Sequence, residues 1–472
     1  MSIILSQSNK NLQVHAGALL VEKIAKNLPL LLTPNISPIN RALRADRIPD
    51  KNILMGVVLT QSFGLTNFHD IEDITNDDIV NELIGSISEE TYRQRLDSLA
   101  SNTELSDSID RSIIYTLKKS NLVKVEYGGR SYYTLDIDVT PMLNPNNKKE
   151  GVELTYKKEY GYAPICAYLN NYAVAFELRP GSQHSELGAE EFLERCLNIV
   201  TSVGIDPSEI LLRVDSAHDA EKFISLCLQK GIKFIVKRNF RREKNCIERT
   251  MTKFAINNVE PISNRDGSVN HYYFTQQENP TNIESKDICS AYEVREISLT
   301  EEKNSFLNLL KSNEKEKNLL FNKYEVDGYW TNITIKGSIP NFDNYNKDTY
   351  LARTCVYAYN EHATSEQFHS ELKSDMKIEQ LPSGKFATNK LYLGIAAITF
   401  NILRLIGDKA LALDSRFQHH KNEFTQRIRI GTVIQKLCLV ACQVVSHARN
   451  TIYQFGKSFK HYKVFNYIYL NA

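Results

Sequence analysis

Residues 123–238 predict an α/β fold built on a mixed β-sheet, and three observations carry that prediction. Hydrophobic residues change period near Val123, from helical spacing to the alternation of a half-buried strand. The elements that follow come in the order strand, strand, strand, helix, strand, helix, strand. The first and fourth of these strands each end in an aspartate.

Residues 1–122 read as helical. Within Asp77–Ala100, one amphipathic helix stops at Gly85 and a second starts with a Ser86–Glu89 capping box, which is a helix-turn-helix shape. Arg93 and Arg95 on the second helix are therefore candidates for contact with phosphates or base edges. The plainer alternative is a helical hairpin with solvated arginines. The sheet begins with Val123–Asp138, two alternating runs around Gly128-Gly129. On the second run Leu135 and Ile137 face one way, and Asp136 and Asp138 the other. An unpaired carboxylate on a central strand is costly, so two on one face need a reason. Ala163–Leu169 and Tyr172–Leu178 form a hairpin at Asn170-Asn171. A helix follows over about 186–203, then a strand ending at Asp215, a helix over about 220–228, and the strand Lys233–Lys237.

That order is the plan of the ribonuclease H fold, in which the first and fourth strands lie side by side. It implies that Asp138 and Asp215 meet although 77 residues separate them (215 minus 138). Residues 239–346 break the alternation into short strand-like pieces between Asn-rich loops and read as a β-rich insertion. Trp330 within it is expected in the core rather than as a base-stacking wedge. His184, in a loop at the sheet edge, reads as a loop histidine with an assisting role as the alternative.

The chemistry concentrates in Tyr359–Lys373. At about 100° per residue Tyr359, His362, Glu366 and Lys373 share one narrow stripe, a poor packing face but a good wall for a polar site. The spacing Tyr, two residues, His, three residues, Glu, six residues, Lys resembles the signature of the DDE transposases of bacterial insertion sequences, with His362 where that family usually has Arg. Asp138-Val-Thr140 resembles the family's Asp-x-Thr, which favours Asp138 over the alternative Asp136. The insertion before Glu366 resembles the cut-and-paste branch, and Asn389 and Asn401 also match the family pattern.

The resemblance implies a metal-dependent enzyme acting on double-stranded DNA, at transposon ends and target, as a homodimer. Asp138, Asp215 and Glu366 would be its catalytic carboxylates and the ligands of two Mg²⁺ ions, with Mn²⁺ as the alternative. Hard oxygen ligands suit both ions. Lys373 would hold a backbone phosphate, His362 a weaker version of the arginine contact, and Tyr359 would lie beside the strand. A nuclease that cuts without joining and a non-enzymatic DNA-binding protein are the rival readings.

Composition sets the frame. Net charge is +1 over 472 residues, so a nucleic-acid surface must come from local segregation. From Arg416 onward the basic residues are Arg416, Lys421, Arg427, Arg429, Lys436, Arg449, Lys457, Lys460 and Lys463, against one acid, Glu423. That imbalance fits phosphate contact. The expected domains are 1–122, helical and DNA-end-binding; 123–238 with 347–410, catalytic; 239–346, the insertion; and 411–472, a basic helical tail. Eight scattered cysteines without a Cys-x-x-Cys pair read as reduced core thiols. The start of the chain lacks the features of a secretory signal. The longest apolar run, Leu391–Leu403, is shorter than the roughly 18 residues of a membrane span. These features point to a cytoplasmic, nucleoid-associated protein without a membrane partner.

Overall fold

The computed structural model describes residues 10–32, 48–243, 245–256, 262–263, 270–296, 324–337, 346–414, 417, 427–447 and 450–471. Its centre is a mixed sheet. The strands are β1 (Arg130–Val139), β2 (Ile165–Leu169), β3 (Tyr172–Glu177), β4 (Ile210–Val214), β5 (Lys233–Lys237), β6 (Asn270–Gln276), β7 (Cys289–Glu296) and β8 (Tyr324–Thr331). Across the sheet they run β3-β2-β1-β4-β5-β8-β7-β6, with Ile262–Ser263 beyond β6. β4 is parallel to both β1 and β5, while the other pairs are antiparallel.

Local chemistry explains the turns. Gly128 and Gly129, at φ 61° and 75°, join the short strand Val125–Tyr127 to β1, a backbone that β-carbons would oppose. Asn170 at φ 54° makes the β2–β3 turn, as asparagine tolerates. Helices α1 (Ala189–Ser202) and α2 (Glu221–Gln229) provide the crossovers to β4 and β5. β8 pairs with β5, so strands of the 239–346 segment lengthen the central sheet instead of forming a separate one, and a helix at Cys246–Ile256 accompanies them. Trp330 on β8 is buried, with Nε1 donating to Asp219 and the Arg238 guanidinium 3.9 Å from its ring centre.

Helix α3 (Lys347–Asn360), a 3-10 turn at Glu361–Ala363, and α4 (Thr364–Ser370) carry the signature residues, followed by a π-helical turn at Glu371–Asp375. The segment read from sequence as one helix is thus broken twice. Helix α5 (Phe386–Leu413) is the one described helix long and apolar enough to cross a membrane, and 94% of its most apolar window is buried. It packs between β3 and the N-terminal helices. Asn401 on α5 gives both halves of its amide to Ala173 of edge strand β3, closing the sheet edge as a neighbouring strand would.

A continuous apolar cluster joins the N-terminal helices, the sheet and α5. Leu12–Gln13 pairs with Cys442–His447, which pairs with Asn450–Phe455, so the C-terminal region is a hairpin between helices and not helical throughout. All eight cysteines are unpaired, and seven are buried.

Candidate active site

Register brings the two strand-end acids together. Asp136 of β1 lies directly beside Arg213 of the parallel strand β4, an offset of 77 residues. The same offset sets Asp138 beside Asp215, which follows the last residue of β4 in extended conformation at φ −74° and ψ 178°. Adjacent strands are about 4.8 Å apart, so the two carboxylates share one end and one face of the sheet. Tyr156 reports the same proximity. Burial raises its phenol pKa, and the charges of both Asp138 and Asp215 add to the rise.

The acids differ in what surrounds them. Asp136 is fully buried and spoken for: Arg213 Nε and Nη2 each lie 2.7 Å from its oxygens, and His362 Nδ1 is 3.1 Å from Oδ1. Burial alone would raise its pKa, but the Arg213 charge and then His362 outweigh burial and hold it below the usual carboxylate value. Arg213 also donates to the Ala358 carbonyl near the end of α3, which fixes the signature helix across the sheet end. Asp138 is only partly covered and has His369 Nε2 3.2 Å from Oδ2. Burial raises its pKa, and the His369 hydrogen bond together with the charges of His369, His362 and His218 outweighs that and lowers it. Asp215, more open still, accepts from its own turn through Ala217 N–H, and His218 Nδ1 is 3.0 Å away.

Glu366 is exposed on α4, four residues after His362 and three before His369. Those two imidazoles reach Asp136 and Asp138, so the helix face between them lies over the end of β1. Lys373 Nζ donates to the Pro141 carbonyl just past β1, and burial lowers its pKa. Tyr359 packs on Tyr329 at 4.8 Å between ring centres. Burial raises its pKa, reinforced by Asp215 and Asp138.

Several expectations change. His362 does not stand in for an arginine offered to a phosphate: it is buried against Asp136, and that contact raises its pKa over the opposing effect of burial. Arg95 is buried and paired with Asp50 and the Ile48 carbonyl, so it faces the core and not a DNA groove. Arg93 remains exposed, beside Glu90. The helix there starts at Glu89, capped by Ser88 and not by a Ser86–Glu89 box. Arg427 and Arg429 of the basic tail are engaged by Glu371 and Asp375. Arg416, Lys421, Glu423 and Arg449 lie outside the described residues. His184 stays in an exposed loop beside Glu186.

Sequence reasoning missed His369, His218 and Tyr156. His369 was findable, since it shares the stripe of Glu366 at helical spacing; Tyr156 and His218 reach the site by loop and turn paths that no periodicity marks.

Asp138, Asp215 and Glu366 offer hard oxygens at an edge where an ionised carboxylate is only partly compensated, which fits divalent ions. Among the described residues, the set of three metal-capable groups with ligand atoms all within 4.8 Å is His69, Asp70 and Asp73. Asp70 there caps the turn at Thr66 and Asn67, which accounts for it structurally. Asp138, Asp215 and Glu366 do not form such a set.

An α/β core with acids at the ends of adjacent parallel strands, and a further acid on the helix across that end, is an arrangement whose oxygen donors suit divalent ions. The model of the family described as transposase DDE domain, group 1, matches residues 2–270, more than half of this chain, which therefore belongs to that family. The match contains Asp138 and Asp215 and ends before Glu366. No curated protein matches the chain. Among solved structures, a piggyBac transposase in a synaptic complex with hairpin DNA is similar at 11% identity, with a TM-score of 0.41, over 90% of this chain and 79% of that one.

Proposed function

We propose that this transposase-family chain has a ribonuclease H-like core and cuts and rejoins DNA, moving an insertion sequence by a cut-and-paste route. One observation carries the reading: the shared register of β1 and β4 sets Asp138 and Asp215 side by side beneath the helix that bears Glu366. On this reading the three acids are the catalytic metal ligands. Two bound Mg²⁺ or Mn²⁺ ions would supply activation of the attacking oxygen and neutralisation of the leaving one. The chain's own residues do the rest. Arg213, held by Asp136, locks the signature helix over the sheet end. His218 orients Asp215, and His369 lies against Asp138. Lys373, now on the Pro141 carbonyl beside the acids, is placed to exchange that partner for a backbone phosphate. Tyr359 and the exposed Tyr156 flank the path of a strand. The partner is double-stranded DNA, at transposon ends and target, taken up by a homodimer, and Arg93 remains a candidate contact.

The test is an assay of the full chain with labelled duplex DNA carrying the inverted repeats that flank its coding sequence, plus Mg²⁺ or Mn²⁺. Nicked ends and a joined product are expected. Asp138→Asn, Asp215→Asn and Glu366→Gln should each lower the rate at least roughly 10²–10³-fold while the fold is kept. Cleavage without joining would leave a nuclease. Binding without cleavage would leave a DNA-binding protein.

A further inference from the structure

We infer that His369 is a nitrogen ligand of the same metal site, and that it tilts the site toward Mn²⁺ over Mg²⁺. The inference rests on the acid-edge reading above and goes beyond its all-carboxylate ligand set. Three observations support it. His369 Nε2 lies 3.2 Å from Asp138 Oδ2. Two neighbouring ligands on an octahedral ion with bonds of 2.0–2.1 Å stand about 3 Å apart, so this pair already has the bite of one ion. Second, Glu366-Gln-Phe-His369 sets a carboxylate and an imidazole at i and i+3 on one helix. That spacing is the one by which bundle proteins aim a Glu and a His at paired iron or manganese ions.

Third, the ring is buried and packed where it meets Asp138. His369 is 5% exposed, and its ring stands edge-on to Tyr168 at 5.6 Å. His218 differs. Its contact with Asp215 spans three residues inside one 3-10 turn, and the same Asp215 oxygen accepts Ala217 N–H, so local turn geometry accounts for it. Imidazole is a softer donor than carboxylate, and Mg²⁺ prefers oxygen throughout. Replacing one oxygen by nitrogen therefore favours Mn²⁺ in the competition.

The experiment loads the full chain with Mn²⁺ and reads the bound ion by pulsed electron paramagnetic resonance for coupling to ¹⁴N. Coupling is expected in the wild type and lost in His369→Gln. That variant should bind Mn²⁺ about tenfold more weakly, with Mg²⁺ affinity changed far less. His218→Gln should keep the coupling. If His369→Gln fails to fold, wild-type chain labelled with ¹⁵N-histidine serves instead, and the ¹⁴N signal should convert to ¹⁵N. Mn²⁺ binding that Asp138→Asn abolishes but that shows no nitrogen coupling overturns the role of His369 and leaves the acid edge intact. Mn²⁺ binding that Asp138→Asn leaves unchanged overturns the acid-edge reading and the ligand with it.

Discussion

Two sides of the signature helix place acids against bases in opposite proportions. On the inner side, just past α4, Glu371 is 1% exposed and faces two arginines, Arg404 from α5 and Arg427 from the C-terminal region, with Ile430 N–H as a further donor. Burial raises its pKa, and the two guanidinium charges outweigh that and lower it. On the outer side Asp138 and Asp215 each have a single imidazole, and Glu366 is exposed. The inner group is closed, with every charge answered by the protein. The outer group carries more negative charge than its neighbours answer, an arrangement suited to cations from solution. Asp136 belongs with the closed kind, although it stands two residues from Asp138 on the same face of the same strand. A carboxylate's partners, more than its position in a motif, decide which kind it is.

The largest effect should come from opening the closed side. Glu371→Ala leaves the buried Arg404 and the half-buried Arg427 facing each other and should cost about 3–5 kcal/mol in urea unfolding at neutral pH. Asp215→Asn, on the open side, should stay within about 1 kcal/mol. Equal losses at the two positions would erase the contrast.

A sharper comparison lies within β1. Asp136→Asn keeps the side-chain shape but leaves the Arg213 guanidinium short of its charge partner, for an expected loss of about 2–3 kcal/mol. Asp138→Asn removes charge from an acid-rich edge and should be neutral or slightly stabilising. The two variants should also part in metal binding, with only Asp138→Asn losing it. Mn²⁺ titration of both variants beside their melting curves would read the pair.

A pH-dependent effect belongs to a second closed cluster, where Arg238 meets Glu243 and Glu278. Burial pushes Glu278 up. The Tyr292 hydroxyl, the Arg238 charge and Lys253 more than reverse this and bring it down to about 2. A depressed carboxylate stabilises the fold above its ordinary pKa of 4.5 and loses that contribution as pH falls toward 2. The advantage of wild type over Glu278→Gln should be constant from pH 7 to about 5, roughly 2–3 kcal/mol at most, and shrink between pH 4.5 and 3. Urea midpoints across that range provide the check, and an advantage that held at pH 3 would contradict the pairing.

Residues alone determined a good deal here. Alternation and turn chemistry marked β1 to β5 within a residue or two, because glycine pairs, asparagine turns and apolar periods act locally. The helical spacing of Tyr359, Glu366 and Lys373 marked the polar stripe, because a helix repeats at a known angle. Tertiary structure decided the rest. Whether Arg95 met DNA or Asp50, whether Asp136 or Asp138 stayed open, and whether His362 faced outward all depended on partners distant in the chain. The strands of 239–346 joined the central sheet because the edge of β5 offered unpaired backbone groups, and such an offer is visible only once the sheet exists. Local pattern sets which elements form, because its forces act within a few residues; charge compensation acts across space, so only the folded chain shows which acids are left over.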